Sequence, residues 1–182
     1  SLTLTVENGT LVPILTLSVE DYLLGVVPYE MSDSFPLEAL KAQAVCARTY
    51  ALSHLNASRA YDVVDTTNDQ VFKGVDSSTK NAARAVQETA GIVGMYNGKL
   101  AECFYSASNG GQTELVENVW SGSGDYGYYA MVDDPYDLEN PQSIVRTMKI
   151  SKNGAVKESL QTLIYEQMLP VLTREGYATD EE

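Results

Sequence analysis

The sequence has no run of about 18 or more apolar residues, so nothing in it reads as a helix that spans a bilayer. A secretory signal is missing too. The opening Ser-Leu-Thr-Leu-Thr-Val suggests trimming, so a leader or anchor removed from ahead of Ser1 is the expectation. Basic residues are scarce: 12 Lys and Arg stand against 25 Asp and Glu, a net charge of −13. Such a chain is a poor partner for nucleic acid or an anionic membrane surface, and the acid excess serves solubility. There is one histidine, His54, near the end of a helical stretch and close to its apolar stripe. With no Gly-x-Ser-x-Gly elbow either, a Ser/His hydrolase is excluded. Two cysteines, Cys46 and Cys103, allow one bridge or two buried thiols and leave the redox compartment open.

What is there is a chain of 182 residues, long enough for one domain with a real core. Its most informative stretch is 25–52. Ser34 is a candidate N-cap, Pro36 suits a first helical turn and Glu38 faces the positive end of the helix dipole. Leu37, Leu40, Ala44, Ala47, Ala51 and Leu55 then recur on one face, which predicts a helix from Pro36 to about Ala57. The alanines require close packing. The other face carries Lys41, Gln43, Arg48 and Thr49, and Lys41 and Arg48 stack two turns apart as a basic stripe. Ahead of the helix, Pro28-Tyr29-Glu30-Met31 sets a carboxylate beside an aromatic and an apolar side chain. A partly desolvated carboxyl there suits a general acid.

Elsewhere the local signals are short. Asn8-Gly9 and Asn97-Gly98 are hairpin turns, the first between strands at 2–6 and 11–17, the second between 92–96 and 99–106. Ser18-Val-Glu-Asp21 resembles a capping box and opens a helix from about Val19 to Val27, which Pro28 stops. Short strands are expected at 61–64 and 70–72, flanking Asp65-Thr-Thr-Asn-Asp69. That oxygen-rich loop lacks calcium-loop spacing and reads as a turn satisfied by its own side chains. Ser77 or Ser78 caps a helix with Ala82, Ala85, Val86 and Thr89 inward, ended by Gly91. Ser106, Ser108 and Thr113 around Gly110-Gly111 gather hydroxyls and backbone N–H groups, which suits a polyhydroxylated ligand. Tyr126, Tyr128 and Tyr129 follow in a loop, where tyrosines stack on sugar faces or cover a core edge. Asp133-Asp-Pro-Tyr136 reads as a turn, 144–150 as a strand, and 153–169 as a turn and helix closed by Pro170. The tail 177–182 reads as loose.

These motifs, taken in order, are familiar. Leu23-Leu24-Gly25-Val26-Val27-x-x-Glu30-Met31, Ser34-Phe35-Pro36 through Val45, Ala47-Arg48-Thr49-Tyr50-Ala51, Asp65-Thr66-Thr67 with Gln70 to Gly74, and Ser106 to Glu114 with Val119-Trp120 resemble the family of stage II sporulation protein D and the related amidase enhancer LytB. The resemblance runs through about 15–137, within a SpoIID-like domain taken as 1–182 with a strand–helix extension at 144–170. The expected fold is α+β: a single domain with a long central helix packed on mainly antiparallel hairpins and a small mixed sheet. Family members often carry more strands beyond this point, so a truncated chain is also expected.

The resemblance implies a lytic transglycosylase that cleaves the β-1,4 bond between N-acetylmuramic acid and N-acetylglucosamine and leaves a 1,6-anhydro end. It further implies glycan stripped of stem peptides by a partner amidase, during engulfment of a forespore, on the extracytoplasmic side of the membrane. Glu30 matches the family's catalytic acid. One carboxyl suffices, because the muramyl C6 hydroxyl attacks intramolecularly and the same group acts first as acid, then as base. Glu114 is the best second carboxylate. Lys41 and Arg48 match the family's basic residues, and Tyr105, Ser106, Ser108, Gly110, Gly111 and Thr113 its groove motif, with Gln43 beside them as a substrate-binding candidate. Some members bind zinc through Cys and His in the loop equivalent to 64–69. Val64, Asn68 and Asp69 stand here instead, so neither zinc nor another cofactor is expected. The alternative is a non-catalytic module that binds glycan and enhances an amidase.

Overall fold

The structure, a computed structural model, describes residues 1–120, 124–140 and 173. The chain divides into two compact units, 1–143 and 144–182. In the second, the expected strand at 144–150 and helix to Leu169 lie outside the described residues.

In the first unit the element order is β1 (Leu2–Glu7), β2 (Thr10–Leu15), α1 (Val19–Leu23), α2 (Val27–Glu30), α3 (Leu37–Ser53), α4 (Lys80–Glu88), β3 (Met95–Tyr96), β4 (Lys99–Leu100), α5 (Val116–Val119) and α6 (Pro135–Glu139). It is an α+β fold. β1 and β2 pair antiparallel from Leu2–Leu15 to Glu7–Thr10, and β3 and β4 pair through Met95–Leu100 and Tyr96–Lys99. Both hairpins turn on Asn-Gly with positive φ at both residues, as the twist of a two-residue loop demands. The small mixed sheet is not found: among the described residues the sheets are these two hairpins.

The long helix packs mainly on other helices, not on hairpins. Leu40, Ala44 and Ala47 of α3 meet Ala82, Ala85 and Val86 of α4, Leu23 of α1, Val27 of α2 and Val26 just ahead of it, all buried. The alanines account for this, since two helices approach closely only where side chains are small. α3 ends at Ser53, with His54 as its cap, so Leu55 does not face inward and is 63% exposed. Its N-cap position is Pro36 and not Ser34, whose hydroxyl bonds that of Ser32.

Two further local expectations change. Pro28 does not stop a helix; it sits in the first turn of α2, where its missing N–H costs nothing. Residues 61–64 and 70–72 form no strands; the Val64 N–H is met by Asp69 in the same loop and the Val71 N–H by Glu30. The Ser18 cap is as expected: its Oγ accepts from the Asp21 N–H at 3.2 Å.

Candidate functional site

α2 and the short connection into α3 hold Glu30 half-buried at the C-terminal end of a helical turn. The Val71 N–H donates to its Oε1 at 3.0 Å. Its Oε2 has no hydrogen-bond partner among the described residues. Val71 is placed by its neighbour Gln70, which is completely buried. Gln70 Nε2 donates to the Ala47 carbonyl of α3 at 3.2 Å and to the Tyr105 hydroxyl oxygen at 3.1 Å, while the Tyr22 hydroxyl donates to Gln70 Oε1 at 3.2 Å. A carbonyl only accepts, so the contact with Ala47 fixes which end of the amide is the nitrogen. Tyr105 therefore accepts from Gln70 and keeps its own hydrogen to give elsewhere. Burial first, with the nearby Glu30 charge adding to it against the Gln70 bond, pushes the Tyr105 hydroxyl up to about 12, so it is a neutral donor at ordinary pH.

Tyr105 also lines an open cavity of about 480 Å³, together with Ser106, Ser108, Thr113, Asp134 and Tyr136. The hydroxyl-rich turn forms one wall of it, but much of its donor capacity is spent internally. Asp137 Oδ2 accepts from the Ser108 hydroxyl at 2.6 Å and from the Asn109 and Gly110 N–H groups at 3.0 and 2.9 Å. Ser106 Oγ donates to the Ser108 carbonyl, and Thr113 Oγ1 to the Ala130 carbonyl. Gly111 has φ +102°, and a Cβ there would lie 2.7 Å from the Leu138 side chain, so glycine is required on both counts. Glu114 faces the other way in function: its Oε1 accepts from the Leu115 N–H and Asn118 Nδ2 at the start of α5.

The basic stripe is the main correction. Lys41 and Arg48 do share a side of α3, but that side faces α4. Arg48 is fully buried, bound to Glu20 and to the carbonyls of Val86 and Ile92, which puts it out of reach of a substrate in the cavity. Lys41 pairs with Glu38 and Glu88. A buried guanidinium persists because acceptors surround it, and a sequence shows none of those partners. Gln43 differs again: its Nε2 is buried with no hydrogen-bond partner among the described residues.

The tyrosine loop covers a core edge. The Tyr128 and Tyr129 hydroxyls both bond the Glu102 carbonyl, and Tyr126 bonds Glu102 Oε2. The Tyr126 and Tyr129 rings pack around Phe104, which also meets the half-exposed Trp120 at 4.7 Å between ring centres. Residues 65–69 form the expected turn, closed by Asn68 N–H to Thr66 Oγ1 and Asp69 N–H to the Thr66 carbonyl. Asp69 itself accepts from the Val64 N–H and the Tyr50 hydroxyl. Among the described residues no cluster of His, Cys, Asp or Glu is arranged to hold a metal. Sequence reasoning missed Tyr22, Gln70, Asp134 and Asp137. Asp133-Asp-Pro-Tyr136 signalled a turn but not the helical turn α6 that brings Asp137 to the Gly-Gly loop.

Comparison with known proteins agrees with these motifs. Residues 7–96 match the SpoIID family, described as stage II sporulation protein. The chain is 44% identical over 138 residues to the amidase enhancer of Bacillus subtilis, covering 76% of this chain and 18% of that one. It is 31% identical over 141 residues to stage II sporulation protein D of Bacillus subtilis, covering 68% and 40% respectively. An uncharacterised protein of Brachyspira hyodysenteriae is 43% identical over 116 residues, covering 62% of this chain and 32% of its own. The chain thus spans less than half the length of each of these relatives.

Proposed function

The chain belongs to the SpoIID family, and from that premise we propose that it is a lytic transglycosylase of peptidoglycan, with Glu30 as its single acid and base. The observation that carries this reading is the asymmetry of the Glu30 carboxyl, with Oε1 held by the Val71 N–H and Oε2 left unengaged by the described residues. Oε2 is then the atom that carries the proton. It passes to the glycosidic oxygen as the C1–O bond breaks. The muramyl O6 attacks C1 on the same sugar and returns its proton to Oε2, which leaves a 1,6-anhydro end and a restored acid. No water is consumed. Tyr105, fixed by Gln70 and linked through it to the segment that holds Glu30, presents its hydrogen at the cavity as a donor to a sugar oxygen. Asp137 is engaged by the Gly-Gly loop and Glu114 at the start of α5, which favours Glu30 over these two as the reacting carboxylate.

On this reading the substrate is a glycan strand lodged along the cavity wall formed by Ser106 to Thr113. The enzyme works on the outer side of the membrane, with a cell-wall amidase supplying strands cleared of stem peptides. The printed name of one relative, amidase enhancer, is the ground for that partner. The same name favours a second reading, in which the cavity binds glycan without turnover and recruits the amidase. The commitment of Lys41 and Arg48 to α4 and Glu20 favours it too, because both cations are then absent from the cavity.

Mass spectrometry of purified glycan strands, with and without stem peptides, tests both readings with the wild type and Glu30→Gln. Anhydro-muramyl products from the wild type alone support the enzyme. Reducing ends would mean a hydrolase and a second carboxylate. Retention of the protein on strands with no products would move the assignment to the binding module.

A further inference from the structure

Tyr136 stands at the lip of the cavity with its side chain unused by the fold. It is 78% exposed, yet it lines the same space as Tyr105 and Ser108. Among the described residues its ring has no aromatic neighbour and its hydroxyl no hydrogen-bond partner. The backbone that carries it is tied down on both sides. Two positions ahead, Asp134 gives its N–H to the Gly111 carbonyl at 2.8 Å, and its Oδ2 accepts from Asn109 Nδ2 at 2.9 Å. One position beyond, Asp137 Oδ2 takes the Ser108 hydroxyl and the Asn109 and Gly110 N–H groups. Pro135 sets the first turn of α6 between them. An exposed aromatic on a loose loop needs no explanation, but this one is presented by a rigid frame at the edge of a polar cavity. Beside it, Asp134 Oδ1 accepts no hydrogen bond from the described residues.

We propose that Tyr136 and Asp134 form a sugar subsite, in which the ring stacks on one face of a pyranose and Asp134 Oδ1 accepts a hydrogen from its rim. This rests on the glycan-binding part of the reading above, which the enzyme and the binding module share. The match is one of shape and polarity. A β-1,4-linked N-acetylated pyranose carries its substituents equatorially, so its faces show axial C–H bonds and its rim shows hydroxyl and amide donors. The negative face of an aromatic ring attracts such C–H groups, and stacking takes two apolar surfaces out of water. A carboxylate oxygen only accepts, so it suits the donor rim. Glu30 does not line this cavity, whereas Tyr105 does, and Gln70 joins Tyr105 to the segment that holds Glu30. The sugar on Tyr136 is therefore a neighbour along the strand, not the ring whose bond lies at Glu30.

The test measures binding of peptide-stripped glycan strands by calorimetry, in chains that all carry Glu30→Gln so that the strands stay whole. Tyr136→Ala should weaken binding by about tenfold, and Tyr136→Phe, which keeps the ring, by less than about twofold. Asp134→Asn, which removes the charge and keeps the shape, should weaken it by about fivefold. The melting temperature of both Tyr136 variants should match that of the parent, since the side chain supports nothing in the fold. Parent-like binding by Tyr136→Ala would overturn the subsite and leave the glycan reading standing. A loss in Tyr136→Phe as large as in Tyr136→Ala would put the hydroxyl in place of the ring face and end the stacking argument. Undiminished binding by Asp134→Asn would remove the carboxylate from the proposal. Absence of binding by the parent chain would sink the subsite and the glycan reading together.

Discussion

Arg48 and Glu20 form a two-pronged ion pair at the meeting point of α1, α3 and α4. Arg48 Nε donates to Glu20 Oε1 and Nη2 to Glu20 Oε2, both at 2.8 Å. The guanidinium is 1% exposed and the carboxylate side chain 35%. Nη1 continues to the Ile92 carbonyl at 3.0 Å, so one side chain joins the first helix, the long helix and the chain leaving α4. The pair is unequal. Glu20 can be rehydrated if its partner is lost, whereas Arg48 cannot.

Glu20→Gln should therefore destabilise the protein by about 3 kcal/mol, because it leaves a buried guanidinium without its counter-charge. Urea unfolding of the two proteins measures it. A cost below about 1 kcal/mol, the range of exposed pairs, would show that Arg48 is not dependent on this charge.

The same pair sets an acid limit. Hydrogen bonding to Arg48 holds the Glu20 carboxyl below its ordinary value of 4.5, with burial opposing. A carboxylate lowered on folding stabilises the fold while the unfolded group is ionised, and the gain is lost as pH falls through the folded value. The stability gap between wild type and Glu20→Gln should thus be widest near neutrality and narrow from about pH 4.5 downward. A gap that stays constant from pH 7 to pH 3 would remove Glu20 as its source.

Gly25 is packed so closely on Phe72 that a Cβ there would overlap the ring edge. Phe72 stacks on Tyr22 at 5.6 Å and follows Val71, whose N–H holds Glu30. Gly25→Ala should cost about 1–3 kcal/mol by overpacking, and displace the Val71 N–H from Glu30. Phe72→Leu in the same chain should recover part of the loss, a coupling that a double-mutant cycle in urea reads directly. Additive costs would mean that the two residues do not touch in solution.

What a sequence makes legible here follows from locality. The α3 stripe from Leu37 to Ala51 and both Asn-Gly turns rest on spacing or on two adjacent residues, and the fold reproduces them, although the second hairpin pairs only 95–96 with 99–100 where 92–96 and 99–106 are expected. Ser18 capping Asp21 is equally local. Glu30 stood out for its neighbours, and the fold adds the Val71 contact, 41 positions away. Arg48 was misread as part of an open basic face because its partners come from positions 20, 86, 89 and 92. Gln70 read as strand for the same reason: its amide is satisfied by Tyr22, Ala47 and Tyr105, none of them near in sequence. Periodicity registers which residues are apolar, and it is silent on which polar residues are buried in pairs.

The Gln70 junction offers the sharpest test of how Tyr105 is held. Tyr105→Phe removes an acceptor and leaves a buried amide hydrogen unpaired, which should cost about 1–3 kcal/mol. Gln70→Leu removes the amide altogether, leaving the Tyr22 and Tyr105 hydroxyls without it. Replacing both partners by apolar groups of similar shape is milder than stranding one, so Gln70→Leu with Tyr105→Phe should cost less than the sum of the singles by about 1 kcal/mol or more. Only the Tyr105→Phe chains should lose affinity for glycan strands outright, while Gln70→Leu alone, with the donor present but unfixed, should weaken binding less. Strictly additive stabilities would show that Gln70 does not bond Tyr105 in solution, and undiminished glycan retention by Tyr105→Phe would take the hydroxyl out of the cavity's binding role.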